Sequence, residues 1–242
     1  MNITKLPGAA LCVLVVSSIL AASQTGAEQP ATALHMQEHL ERITQIKNAV
    51  IRSDLAGIRR PATWLAEHEP APEATILYVP FILSMQGHAA EILAAADIQE
   101  AAADVSAIAT DCANCHIASE VDVEFGDSDE PPAWSDMESH MQRHQWAIDR
   151  LWEGLIGPSD VAWSRGIRML AEAPLHGTEA TWDAPVTDGD ELARRVHELG
   201  REAATALLPY ARATVYSEML SVCANCHTRT GGGPGASDAT AQ

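Results

Sequence analysis

Two pentapeptides carry the chemistry open to this chain. Residues 112–116 and 223–227 both read Cys-Ala-Asn-Cys-His. Two thiols three residues apart, followed at once by an imidazole, have the spacing of covalent haem attachment. Cys112 and Cys115, and in the second copy Cys223 and Cys226, can reach the two vinyl groups of one haem and form thioethers. His116 and His227 then sit under the iron as proximal axial ligands. Two plainer readings are a CxxC disulfide and half of a zinc site. A zinc site has to join pairs about 110 residues apart and leaves each His without a role. Two identical copies, each ending in His, favour haem. The expected cofactors are two covalently attached haem c groups.

The elements that position these motifs are themselves repeated. His35-Met36-Gln37-Glu38-His39 returns as His140-Met141-Gln142-Arg143-His144, and Ser53-Asp54-Leu55-Ala56 returns as Ser159-Asp160-Val161-Ala162. Leu65-Ala66-Glu67 returns as Leu170-Ala171-Glu172. The offset is 105 or 106 in these segments and 111 at the pentapeptides, which places a few extra residues of the second copy within 173–190. A repeat this long is a duplicated domain and not a solenoid unit.

Each copy reads as four helices. Abundant Ala, few aromatics (5%) and few β-branched runs favour helix over sheet. The spacing predicts helices near 33–52, 54–67, 78–96 and 98–117, then 136–156, 160–172, 190–207 and 209–227. Ser135 and Glu138 form a capping-box pattern, Gly157-Pro158 stops that helix, and Ser159 caps the next. Asp97 caps the fourth helix, Pro209 suits the first turn of its counterpart, and Pro80 marks the start of the third. The expected fold class is all-α: two tandem four-helix bundles, each with a haem c at the end of its fourth helix. The expected organisation is a signal peptide at 1–27, a first haem-binding domain at 31–118, an acidic linker at 119–133, a second haem-binding domain at 134–230 and a disordered tail at 231–242.

Charge and leader narrow the function class. With 15 basic against 33 acidic residues, the formal charge is −18. Binding nucleic acid needs clustered Lys and Arg, so that role is not expected. Lys5, the apolar stretch 9–22 and Thr25-Gly26-Ala27 read as a secretory signal, with Ser23 as another cleavage point. The apolar run is short for a membrane span, so no span is expected in the mature chain, and the periplasm is the expected location. Cys12 leaves with the signal. The linker holds Glu120, Asp122, Glu124, Asp127, Asp129 and Glu130, with no base; its spacing fits no EF-hand loop and reads as a solvated connection.

Motif placement points to a family. Small cytochromes c of the mitochondrial type carry CxxCH near the domain start and a Met ligand far downstream. Only 15 residues follow His227, and none is Met. The same argument weighs against di-haem peroxidases built from such domains. A CxxCH at the end of the fourth helix of a four-helix unit resembles the cytochrome c′ family and its low-spin relatives. The resemblance covers residues 33–117 and 136–229, as two copies where the family has one domain. It implies left-turning antiparallel bundles with haem in the core. It also implies that the residue facing the iron from the far side comes from the first helix, apolar in gas-binding members and Met in low-spin carriers.

This chain has His there instead. His39, Ile43, Ile46 and Val50 lie on one helical face, and His144, Ile148, Leu151 and Leu155 repeat the pattern. His39 and His144 are therefore the expected distal ligands, with His35 and His140, one turn earlier, in reserve. Met36 heads a weaker stripe through Leu40 and Ile43 to Lys47, and Gln145 interrupts the stripe of Met141. A His or Met on an apolar face also serves as ordinary core; recurrence at both equivalent positions favours ligation. His68, His88 and His197 have no His counterpart and read as surface or propionate-side residues. Arg59 and Arg165 recur and could pair with propionates, though a solvated helix face explains them as well. Trp64 and Met169 read as core.

Bis-His ligation closes both axial sites and predicts low-spin, low-potential haem that passes electrons only. The expected function is periplasmic electron transfer between redox partner proteins, without catalytic turnover. The alternative is a cytochrome c′-like scavenger or sensor of NO or CO with an open iron. A peroxidase needs a distal acid–base pair, and His35 has no matching Arg or Glu.

Overall fold

A computed structural model of the chain describes residues 31–70, 76–125, 130–133, 136–172 and 188–230. Those residues form eight α-helices and no strand. They are α1 Ala31–Ile51, α2 Leu55–Glu67, α3 Val79–Ala94, α4 Ile98–Ala118, α5 Met137–Ile156, α6 Asp160–Leu170, α7 Asp188–Glu202 and α8 Pro209–Thr230. The expected signal peptide and tail lie outside the described residues, as does most of 173–190.

Local chemistry sets most of the boundaries. Asp97 accepts from the Gln99 and Glu100 amides to start α4, and Ser159 accepts from the Ala162 amide to start α6. Gly157 ends α5, and Pro209 opens α8. The cap of α5 falls one residue later than the expected Ser135–Glu138 box. Asp136 accepts from the Ser139 amide at 2.9 Å and the Ser139 hydroxyl accepts from the Asp136 amide at 3.3 Å, because the carboxylate of Asp136 is an equally good capping acceptor. Helix α7 stops short of the expected 207. The chain tightens into a 3₁₀ turn over Ala203–Thr205, which Ala206 closes by donating its amide to the Ala203 carbonyl.

The apolar faces close on one another as their periodicity requires. Ile43, Ile46 and Val50 of α1 are buried, and so are Ile148, Leu151 and Leu155 of α5. Successive helices α1 to α4 pack in order, as do α5 to α8. Helices α5 and α6 approach so closely that a Cβ on Gly154 would lie 2.6 Å from the Trp163 amide nitrogen, and one on Gly166 would lie 2.7 Å from the Ala147 carbonyl. Met169 is buried in the core, whereas Trp64 is half-buried and packs against it. In the linker, Phe125 is packed against the core, so this segment is pinned at one point and not wholly solvated.

The two halves share an extensive boundary, chiefly α4 on α8, with α1 and α5 in side-chain contact. Lys47 donates to Asp149 at 2.5 Å, and the Trp152 indole N–H donates to the Thr44 hydroxyl at 3.3 Å. Numbers rise along one helix as they fall along the other, so α1 and α5 cross antiparallel. This boundary brings each pentapeptide close to the opposite half.

Candidate functional site

Both pentapeptides occupy the last turns of helices, Cys112–His116 in α4 and Cys223–His227 in α8. Helical geometry sets the two thiols of each pair on one face. All four cysteines are unpaired and half-buried, so neither pair forms the disulfide that the bare CxxC spacing allows. Burial pushes the Cys112 and Cys223 thiols up to about 12 and raises Cys115 and Cys226 as well. They are thiols at neutral pH, not reactive thiolates. Among the described residues, the side chains that gather in threes at metal-bridging distance are histidines; the cysteines form no four-thiol zinc site.

The imidazoles that follow the thiols are locked. His116 Nδ1 lies 2.9 Å from the Ile156 carbonyl, and His227 Nδ1 lies 3.0 Å from the Ile51 carbonyl. A carbonyl only accepts, so Nδ1 carries a proton in both rings, and in the neutral ring it is Nε2 that keeps the lone pair. This is the orientation that second-sphere partners give to a metal-ligating histidine.

The histidines of α1 and α5 belong to two triads. In the first half, His35 and His39 of α1 meet His68, which caps the end of α2. Ring centroids are 4.5 Å apart for His35–His39, 4.9 Å for His35–His68 and 5.2 Å for His39–His68. Trp64 stacks on His68 at 3.7 Å and sets its edge against His39 at 5.3 Å. In the second half, His140 and His144 of α5 meet His197 of α7, with centroids 4.4, 5.7 and 5.0 Å apart. Within each triad, one nitrogen from each ring lies within 4.8 Å of the others.

Two of these histidines correct the sequence reading. His197 is 1% exposed and holds its Nδ1 2.7 Å from the Leu170 carbonyl; it is not a surface residue. His68 is half-buried beside His35 and His39. Sequence alignment of the halves missed them because the third imidazole comes from the end of the second helix in one half and from the third helix in the other. The available signal for His197 was its place beside the buried stripe Val196, Leu199, Gly200 and Ala203. His88 is half-buried, with Nδ1 2.9 Å from an Asp104 carboxylate oxygen. Arg59 is exposed, and Arg165 lies over the Trp146 ring at 5.8 Å.

Burial acts most strongly at the two expected distal positions. His39 Nε2 and His144 Nε2 are buried without a hydrogen-bond partner, and so is His197 Nε2. Such atoms cost free energy unless something occupies them. Burial, aided by His35 and His68, lowers the His39 pKa to about 4. Burial, then His140 and His197, lowers that of His144 to about 3, and His227 adds to the effect, which places the triad near the second pentapeptide. Both rings are neutral, and so able to ligate, across the physiological range. In the unfolded chain they take up protons near 6.5. Their neutral burial is therefore fully compatible with folding above about 6.5 and opposes it progressively as pH falls towards 4. For haem-free chain, helical circular dichroism during acid titration should show stability falling through that window; flat stability from pH 7 to 4 would contradict the buried, neutral assignment.

The donor set fits a covalently held haem: two unpaired thiols on one helix face, an adjacent imidazole whose Nδ1 donates to a carbonyl, and a buried imidazole with an unpartnered Nε2 in the same half. No known family model matches the chain, and no curated protein or solved structure does.

Proposed function

We propose that the chain is a periplasmic di-haem c-type cytochrome that carries electrons between redox partner proteins and has no catalytic turnover. In this reading the eight helices are two tandem four-helix bundles, Ile98–Ala118 and Pro209–Thr230 being the haem-bearing helices. When bound, haem c supplies a reversible one-electron iron centre. Cys112 and Cys115 hold the first group and Cys223 and Cys226 the second, each thiol closing a thioether. His116 and His227 present Nε2 as proximal ligands, their rings fixed by the Ile156 and Ile51 carbonyls. His39 and His144 present Nε2 from the distal side; His35 and His140 lie one turn away.

The observation that carries this reading is the pairing, found in both halves, of a tautomer-locked imidazole after the CxxC with a buried imidazole whose Nε2 has no partner. A haem held by His116 or His227 on one side and by His39 or His144 on the other would have no position left for a gas, which favours transfer over gas binding. No described helix is long and apolar enough to cross a membrane. The acidic surface suits partners with a basic docking face.

Optical spectra test the proposal. Holo-protein from an exporting host should contain two haems per chain by alkaline pyridine assay. Its oxidised and dithionite-reduced spectra should show low-spin bands that CO does not move. High-spin bands that shift with CO would replace electron transfer by gas binding, and a chain without covalent haem would end the reading altogether.

A further inference from the structure

The locked histidines also settle where the end of each first helix finds its hydrogen bonds. The last carbonyls of a helix have no partner within it. At the end of α1, the Arg52 amide takes the Asn48 carbonyl at 3.2 Å, the Asp54 amide takes Ala49 at 2.9 Å and the Ser53 amide takes Val50 at 2.9 Å. Ser53 is left-handed at φ 57°, which completes a Schellman closure. The Ile51 carbonyl is left over by this turn, and it accepts the Nδ1–H of His227, a residue 176 positions away. At the end of α5, the Gly157 amide takes the Glu153 carbonyl, and the Ile156 carbonyl accepts from His116.

Ile51 and Ile156 are the same position of the repeat, and so are His116 and His227. The bond is thus made twice, and each time it crosses between halves. The α1–α5 contacts obey the same exchange: Lys47 corresponds to Trp152 and Thr44 to Asp149, so Lys47–Asp149 and Trp152–Thr44 are one contact with its residues changed. Such reciprocity is that of an isologous two-fold interface within a single chain.

We propose that each haem site is built by both halves: the first helix of one half fixes the proximal histidine of the other and sets the potential of that iron. The proposal rests on the haem reading above. A helix C-terminus carries about half a negative charge, so its last carbonyl is a strong acceptor. Holding the proton on Nδ1 makes Nε2 more basic, which favours ferric over ferrous iron and lowers the potential. A change in the turn after α1 should accordingly register at the second haem and not at the first.

Arg52→Pro tests this in the full chain. Proline at 52 drives Ile51 out of helical backbone and turns its carbonyl away from His227. Two backgrounds separate the haems: Cys112→Ala/Cys115→Ala keeps only the second, and Cys223→Ala/Cys226→Ala keeps only the first. Arg52→Pro is expected to raise the midpoint potential and shift the EPR g-values in the first background, and to change neither in the second. The proposal is overturned if the haem of its own half moves instead, or if neither moves while circular dichroism shows the helices intact. Should Arg52→Pro fail to fold, His227→Gly supplied with free ligands decides. Imidazole and 1-methylimidazole both bind iron, but only imidazole keeps an N–H for Ile51. Imidazole should bind about tenfold more tightly, the worth of one hydrogen bond; equal affinity overturns the proposal. Wild-type chain carrying no haem by mass would sink the haem reading and this proposal together, whereas haem present without crossed effects sinks only this one.

Discussion

His144→Ala combined with His197→Ala is expected to turn about half of the haem in the chain high-spin and CO-reactive, leaving the rest low-spin. The argument starts from bare nitrogens. His144 Nε2 is buried without a partner, at the helical position equivalent to His39, and in the proposed haem reading iron ligation would satisfy both atoms. His197 complicates the single variant. Its Nδ1 is held by the Leu170 carbonyl, so its Nε2 is also bare, and its ring centre is only 5.0 Å from that of His144. With His144 gone, His197 has the tautomer and the burial to take the sixth site. In the first half His68 Nε2 is already engaged with His35 Nδ1 at 3.4 Å, so neither of those two nitrogens is bare as His197 Nε2 is. His39→Ala alone should therefore open the first iron, while the second needs both changes. Optical spectra with and without CO read both outcomes. Low-spin, CO-silent spectra in His39→Ala and in the double variant would remove the distal assignment.

Much of this organisation was legible in sequence because it is local and made twice. The stripe from His39 through Val50 and its copy from His144 through Leu155 became buried helix faces, and the caps at Asp97 and Ser159 formed as their side chains dictate. What the sequence hid depends on packing between distant segments. His68 and His197 reach equivalent places from non-equivalent helices, so no repeat offset reveals them. The crossing of His116 to Ile156 and His227 to Ile51 needs the two halves docked, and nothing in either half alone requires it. Lys47 shows the same limit. Read as the flaw in the stripe of Met36, Leu40 and Ile43, it is 1% exposed, whereas Met36 is 42% exposed. A cation can be buried there only because α5 of the other half brings Asp149.

Lys47 gives the second large effect, and its direction depends on which partner is removed. Its side chain is 1% exposed and its ammonium meets Asp149 at 2.5 Å, with the Trp152 ring 5.8 Å away. Asp149 is 38% exposed and also accepts from Gln145 at 3.0 Å. Asp149→Ala strands a buried ammonium, and losing one partner of a buried pair costs roughly 3–5 kcal/mol. The nearby Glu153 carboxylate interacts with Lys47 as well, so the lower end, about 3 kcal/mol, is expected. Lys47→Met removes the charge from the buried side instead. The thioether fills the channel of the lysine stem, and Asp149 keeps its solvent and Gln145, so the change should stay within about 1 kcal/mol. Urea unfolding of the two variants, with equal m-values, measures the difference. If Lys47→Met proves as damaging as Asp149→Ala, the ion pair itself joins the halves. If only Asp149→Ala is damaging, Lys47 is a buried charge that the docked halves tolerate, and apolar packing with the crossed histidine bonds holds them together.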